Sequence, residues 1–421
     1  MPALVAEFEN TPPGSGFFIL TNSRALHPPA AHRLITDICT KLKEAAAQVG
    51  KPFEVVLRGD STLRGHFPLE PEAVEGVLGE SDAWIIAPFF LQGGRYTIDD
   101  IHYVAEGNTL VPAGETPFAR DATFGFTSSH LADWVVEKSN GSITRDRVKG
   151  IQMADIREGG PDKVSEMLLG AAKGTVFIVN AAAEEDMDVV VLGILNASAQ
   201  GRKFLFRSAA AFVSARLGIS PIRPISARQL RLDPSVGGLI IAGSYVPRTT
   251  AQLKHLIAQS GNKLITVELD VKRLLESETT REEELQRALD TTERYIYHPK
   301  DVLIMTSRDL VIGADERSSL DIGSVVAAAL VSFLTRLDTK PRYVIAKGGI
   351  TSSDMATKAL GMKRAMIVGQ AAAGVPLWRC DEPTSKWPGL PYVVFPGNVG
   401  AEDTLAAVVE RWRLPTPMNR C

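Results

Sequence analysis

Short apolar runs that end in small or polar turns, and are then followed by stretches of helical spacing, recur along this chain and restrict its fold more than any other feature. The runs Phe53–Leu57, Ala83–Pro88, Gly174–Ala181, Lys203–Ser208, Gly237–Ala242, Leu264–Leu269, Val302–Thr306, Tyr343–Ala346, Ala365–Gln370 and Pro391–Pro396 read as buried strands. Between them lie helix-patterned segments. Pro29 to Val49 places Leu34, Ile35, Ile38, Leu42 and Ala46 on one face; Asp162–Leu169, Asp188–Ala199, Thr249–Ser260, Thr280–Thr292, Ile322–Leu337, Met355–Leu360 and Glu402–Trp412 read likewise. Alternation of this kind predicts an α/β fold with mainly parallel sheets flanked by helices.

A chain of 421 residues exceeds the usual size of one core, so two domains are expected. The alternation breaks at Pro221, Pro224 and Pro234, which places a linker between about Ile219 and Val236 and predicts domains over 1–228 and 236–421. A formal net charge of −3 argues against a general nucleic-acid binder. Cys39, Cys380 and Cys421 are too few and too scattered for a disulfide framework or a zinc site, which suits a reducing cytoplasm. No run approaches the roughly 18 apolar residues that cross a bilayer, so a membrane partner is not expected.

In open α/β sheets ligands bind beyond the carboxyl ends of strands, so the polar turns that follow the apolar runs are the candidate site. After Leu57 comes Arg58-Gly59-Asp60-Ser61-Thr62-Leu63-Arg64-Gly65. Arg58 and Arg64 can clamp a carboxylate, while Asp60 and Ser61 can hydrogen-bond hydroxyls. After Pro88 a Gly93-Gly94 turn carries Arg95, a third basic group expected at substrate. Gly16 to Arg24 reads as a further strand entering a polar loop, and Asp99 to Asp121 as loop. His102 and His130 lack partners at metal-ligand spacing.

In the second half, Ala346-Lys347-Gly348-Gly349-Ile350-Thr351-Ser352-Ser353-Asp354 joins a strand to a helix expected to begin near Met355. Its glycines allow a close backbone approach, and the helix start supplies N–H groups without partners, the layout of an anion site to which Lys347 can add a charge. It is neither a Walker lysine loop nor the dinucleotide G-x-G-x-x-G turn. Ser244 and the turn Gly397–Gly400 lie at other strand ends of the same half, which is where a nucleotide would rest.

Thr21–Arg24, Arg58–Gly65, Ala346–Ser352 and Pro396–Gly400, in this order, resemble the four-carbon acid sugar kinase family. The resemblance implies an amino-terminal domain that holds a sugar acid and a carboxy-terminal domain that holds ATP, with phosphorylation of threonate, erythronate or 3-oxo-tetronate in the crevice between them. It implies Ser244, Gly348, Gly349, Ile350, Thr351 and Gly397 at ATP, and Arg58, Asp60, Ser61 and Arg64 at the acid. Mg²⁺ would accompany the nucleotide, and its protein ligands stay unassigned. Asp60 and Asp403 are alternative catalytic bases, and a homodimer is one expected assembly. The family's usual opening Asp-Asp-x-Thr-Gly strand end is absent here, so Met1 to Ser15 reads as a loop following a missing strand-helix unit, and the first domain as truncated. Two rival readings are a ligand sensor derived from the kinase and an NAD-dependent sugar-acid dehydrogenase; the dehydrogenase would need a G-x-G-x-x-G turn that no segment supplies convincingly.

Overall fold

Among the described residues, eight strands and their helices belong to the first of two units, Met1–Pro221, and seven more to the second, Ile222–Cys421. The structure is a computed structural model that describes every residue except 221, 244, 245, 299, 309–315 and 415–421, and the backbone alone at 316–321. Both units are α/β, with mainly parallel sheets flanked by helices.

In the first unit, β1 (Val56–Arg58), β2 (Ala83–Ala87), β6 (Val148–Ile151), β7 (Thr175–Val179) and β8 (Phe204–Ser208) make a wholly parallel sheet of order β1-β8-β2-β7-β6. Helices cover both faces, so its central strands read as unbroken apolar runs rather than alternating ones. Ile85, Phe177 and Phe206 pack with Val164, Val190 and Ile194 of the helices Gly160–Leu169 and Glu184–Ala199. On the other face Ile86, Val176 and Ile178 meet Trp134 and Val135 of the helix Leu131–Lys138.

The remaining three strands of this unit, β3 (Arg95–Ile98), β4 (Ile101–Glu106) and β5 (Thr109–Pro112), form an antiparallel sheet where sequence spacing predicts loop. The reason lies in the turn. Asp99 and Asp100 both adopt left-handed backbone, φ 52° and 62°, which makes the two-residue hairpin turn usually marked by Asn-Gly. Two other readings are also corrected. Gly16 to Leu20 pairs with no strand among the described residues: Phe18, Ile19 and Leu20 are exposed, and the segment ends in a short 3-10 turn at Ser23–Ala25. Pro2–Asn10 is a helix rather than loop, with Phe8 buried edge-to-face against Phe17 and Phe53 at centroid distances of 5.4 and 5.6 Å.

The second unit's sheet takes β9 (Leu239–Ala242), β10 (Leu264–Leu269), β11 (Asp301–Thr306), β12 (Val344–Lys347), β13 (Ala365–Ala372), β14 (Val375–Cys380) and β15 (Pro391–Phe395) in the order β10-β11-β9-β12-β15-β14-β13. The first five in that order are parallel, and β14 runs antiparallel to both its neighbours. From β9 the chain winds toward one edge and from β12 toward the other, so the sheet reverses direction between these two strands. That reversal is where doubly wound sheets open a ligand crevice at their carboxyl ends.

At the far edge β13 is irregular, with register shifts between Ile367 and Gly369 and between Gln370 and Ala372. The proline-bearing stretch after Ile222 lies against it. The Ile225 N–H donates to the Gln370 carbonyl at 2.9 Å, and Trp412 Nε1 donates to the Ile225 carbonyl at 2.8 Å. Gly369 (φ 153°) allows this approach, since a Cβ there would sit 2.6 Å from Ile222 Cδ1.

Candidate functional site

Each unit brings polar loops together at the carboxyl ends of its parallel strands. In the first, β1 ends at Arg58, and the Gly59 N–H donates to the Ser208 carbonyl at 2.9 Å, so the chain leaves the sheet beside the end of β8. A tight turn follows, closed by the Leu63 N–H on the Asp60 carbonyl at 3.1 Å. Leu63 is fully buried and left-handed, φ 69°, an uncommon conformation for a branched residue. Half-buried Ser61 lies in this turn, and its carbonyl is held from below by buried His102 on β4 at 2.8 Å.

Asp60 is the centre of this loop. Its Oδ2 accepts from Arg64 Nε at 2.8 Å and from the Thr62 hydroxyl, and Arg24 Nη1 lies 3.4 Å away. Burial pushes this carboxyl up, but the charges of Arg64 and Arg24 and the hydrogen bonds from Thr62 and Arg64 outweigh it and hold the group below the ordinary carboxylate range. Asp60 is therefore ionised at neutral pH. Arg64 also reaches Asp121 Oδ2 at 3.5 Å and lies 5.2 Å from the Phe118 ring centroid. Arg58 stands exposed at the strand end, within the fields of Asp60 and Arg24. Arg95 is buried on β3, 5.7 Å from the same Phe118 ring, and its Nη1 donates to the Gly93 carbonyl.

The two histidines of this region have structural partners. His102 Nε2 faces the Ser61 carbonyl, which can only accept, so that nitrogen carries the proton and Nδ1 accepts from Thr97 Oγ1 at 3.0 Å. Burial lowers its pKa to about 4, with the Ser61 carbonyl and Asp60 acting against Arg95 and Arg207, which lower it further. His66 Nε2 lies 3.1 Å from the carbonyls of both Ser23 and Leu26 and so ties the turn bearing Arg24 to this loop. Arg24, His102, Phe118, Asp121 and Arg207 come from four distant segments. In the sequence Arg24 is marked by the Thr21–Arg24 motif and Arg207 by its strand-end position, while nothing local places His102, Phe118 or Asp121 at this loop.

In the second unit, β12 ends at Lys347 and the chain turns at Gly348, φ 117° and ψ 146°. Helix begins at once, Gly349–Asp354 running on into a wider turn at Met355–Ala359, six residues before the expected start. Ser352 explains the difference: its Oγ donates to the Ala346 carbonyl at 2.7 Å and locks the first turn against β12. The N–H groups of Gly349, Ile350 and Thr351 thus occupy a helix's unpartnered first turn. Ile350 is 61% exposed, and a Cβ at Gly349 would meet nothing within 4 Å. Thr351 approaches the end of β9 so closely that a Cβ on Gly243 would lie 2.8 Å from its hydroxyl.

Lys347 does not project toward this turn. Its side chain is buried, Nζ donates to the Pro396 carbonyl at 2.6 Å, and the amine lies 4.2 Å from the Phe395 ring centroid. Burial, with a smaller push from Arg248, lowers its pKa to about 7. The lysine therefore fastens the Gly348 turn to the Gly397 turn. Carbonyls of the latter are taken up by the helix Pro247–Ser260: Thr249 Oγ1 donates to Gly397 at 3.1 Å, Arg248 Nη1 to Gly400 at 2.9 Å and Gln252 Nε2 to Ala401 at 2.8 Å. Asp403 is exposed just before the helix Thr404–Trp412. Ser244 lies outside the described residues. Among the described residues no three His, Cys, Asp or Glu side chains are grouped to hold a metal, and no helix is long and apolar enough to cross a membrane.

Comparison with known proteins bears on both loop groups. Residues 3–216 match a family described as a sugar-binding N-terminal domain, and residues 239–405 one described as a nucleotide-binding C-terminal domain. Over 318 residues the chain is 26% identical to a D-erythronate kinase of Heliobacterium modesticaldum, a match covering 75% of this chain but only 64% of that protein. Two solved structures are 18% identical and share the fold. One, from Salmonella typhimurium LT2, has a TM-score of 0.66 and is matched over 91% of this chain and 86% of its own. The other, from Haemophilus influenzae, has a TM-score of 0.59 over 93% and 88%. The sugar-binding match contains the Arg58–Gly65 loop and the nucleotide-binding match contains the Gly348 and Gly397 turns, and in that arrangement the chain belongs to the four-carbon acid sugar kinase family.

Proposed function

We propose that the chain transfers the γ-phosphoryl group of ATP to a hydroxyl of a four-carbon sugar acid, the candidates being threonate, erythronate and 3-oxo-tetronate. The observation that carries this reading is the gathering of Arg24, Arg58 and Arg64 about an ionised Asp60 within the sugar-binding match. A small polyhydroxy acid needs both of those features. Arg58 and Arg64 bind its carboxylate, Arg64 through a guanidinium already oriented by Asp60 and Asp121. The Asp60 oxygen that Arg64 and Thr62 leave open accepts a substrate hydroxyl, orients it, and can take its proton as the new bond forms. Arg95 is assigned to substrate through Phe118, whose ring it shares with Arg64.

The phosphates are assigned to the N–H groups of Gly349, Ile350 and Thr351, with Gly348 and Gly397 allowing a close approach and Ser244 completing the set. Phosphoryl transfer asks chiefly for positioning and charge neutralisation. Mg²⁺ would neutralise the phosphate oxygens; it commonly arrives on the nucleotide and needs only one or two protein carboxylates. Exposed Asp403, close in sequence to the Gly397 turn, suits that role as well as that of the alternative base.

Purified chain assayed for ATP consumption against D- and L-threonate, D- and L-erythronate and their 3-oxo forms tests the proposal, with thermal shifts by ATP and by each acid alongside. Turnover of at least one acid is expected. Binding of acid and nucleotide without turnover would replace the kinase by a sensor, and a thermal response to NAD in place of ATP would replace it by a dehydrogenase.

A further inference from the structure

Arg207 is the last but one residue of β8, and its guanidinium is buried without an ion-pair partner among the described residues. Burial opposes its charge, and Glu70 and Asp60 favour it only from a distance. A buried cation ordinarily has a carboxylate beside it, because desolvation is otherwise uncompensated. Here the compensation comes from two aromatic rings and two carbonyls. The guanidinium lies 4.9 Å from the Trp134 ring centroid and 5.9 Å from that of Phe67. Its Nη2 donates to the Leu63 carbonyl at 3.0 Å and lies 3.5 Å from the Arg64 carbonyl. A Cβ on Gly59 would sit 3.7 Å from its Cζ, so the group runs beneath the loop from Gly59 to Arg64.

The two carbonyls belong to the left-handed residue and to the arginine that follows it. Their direction fixes where the Arg64 side chain leaves the backbone, and therefore whether its Nε meets Asp60 and its Nη1 meets Asp121. On the reading of Arg58–Gly65 as the acid-binding loop, we propose that Arg207 is a positioning residue for the acid: it holds the left-handed turn at Leu63 so that Arg64 is presented to the substrate carboxylate. Lysine cannot replace it. Its ammonium is a more strongly hydrated point charge, costlier than a guanidinium to bury against the Trp134 and Phe67 rings.

Arg207→Lys and Arg207→Gln are compared with wild type by kcat, by KM for the acid and by KM for ATP. Both variants are expected to raise the acid KM by about tenfold or more, the effect of losing a charge-assisted hydrogen bond, with the ATP KM within about twofold of wild type. A purely architectural residue behaves otherwise, since a smaller folded fraction lowers apparent kcat and leaves both KM values in place. In Arg207→Ala, guanidinium ion at millimolar concentration is expected to restore part of the acid affinity. An acid KM unchanged in both variants, or an equal rise in both KM values, overturns the inference while the kinase reading stands. A wild-type chain that neither turns over nor binds any acid of the panel overturns the reading and the inference with it. If none of the variants folds, Arg207 belongs to the architecture alone and the inference is overturned.

Discussion

Asp60 shows how a single residue sets the chemistry of its surroundings. Three groups converge on one of its oxygens, and the resulting ionised carboxylate fixes Arg64, so the two cannot be judged apart. Arg64→Ala removes the guanidinium assigned to the acid, and the acid KM is expected to rise roughly ten- to hundredfold with little change for ATP; steady-state kinetics with each substrate varied in turn would show it, and equal loss for both would remove the role. His102 makes a prediction in pH. Its folded pKa is about 4 against 6.5 for the free group, so between these values the unfolded chain takes up a proton that the folded chain refuses. The neutral ring's contribution is complete above about pH 6.5 and is lost as pH falls toward 4. Between pH 7 and 5 the wild-type Tm should therefore fall more than that of His102→Gln, and parallel curves would deny it. That Arg58, Asp60 and Arg64 share one loop was legible because they are neighbours in sequence. Arg24 was visible in the Thr21–Arg24 motif, but its approach to Asp60, like the positions of His102 and Arg207 under the loop, was not, because the fold and not the local sequence brings them there.

At the scale of elements, the buried parallel strands were readable and the antiparallel ones were not. Strands such as β7 and β11 are covered on both faces and carry unbroken apolar runs, whereas β4 alternates buried with partly exposed residues, β5 is exposed or partly exposed throughout, and an unusual turn joins β3 to β4. Asp99-Asp100 gives no glycine to announce a hairpin. The helix after β12 was placed late because its first turn is Gly-Ile-Thr-Ser, poor in helix formers, and is held by Ser352 rather than by propensity. This geometry separates its two glycines. Gly348 sits in a backbone region closed to other residues, so Gly348→Ala should cost about 1–3 kcal/mol of stability. Gly349 faces open space, so Gly349→Ala should keep its Tm and lose ATP affinity instead, because the added methyl stands where the phosphates are assigned. Differential scanning fluorimetry and ATP titration of the two variants distinguish these outcomes; matching profiles would contradict the assignment.

In the molecule as a whole, each unit has a core of its own, one built around Phe177, Phe206 and Val190 and the other around Leu239, Ile304 and Phe333. Ligands assigned to different units should therefore stabilise different parts of the chain. Calorimetry of the full chain is expected to show ATP raising one transition and the sugar acid another, each by about 2.7 kcal/mol at a hundred times its Kd. One ligand raising a single common transition would show the units to unfold together. The edge of the second sheet carries a different consequence. A straight, unpaired border strand is a template on which another chain can add, the first step toward fibrils and inclusion bodies. At β13 two register shifts break the ladder, and the stretch around Ile225 already occupies the Gln370 carbonyl. Apolar Met366 and Ile367 can thus stay exposed there without making this border a seed for insoluble protein during overexpression.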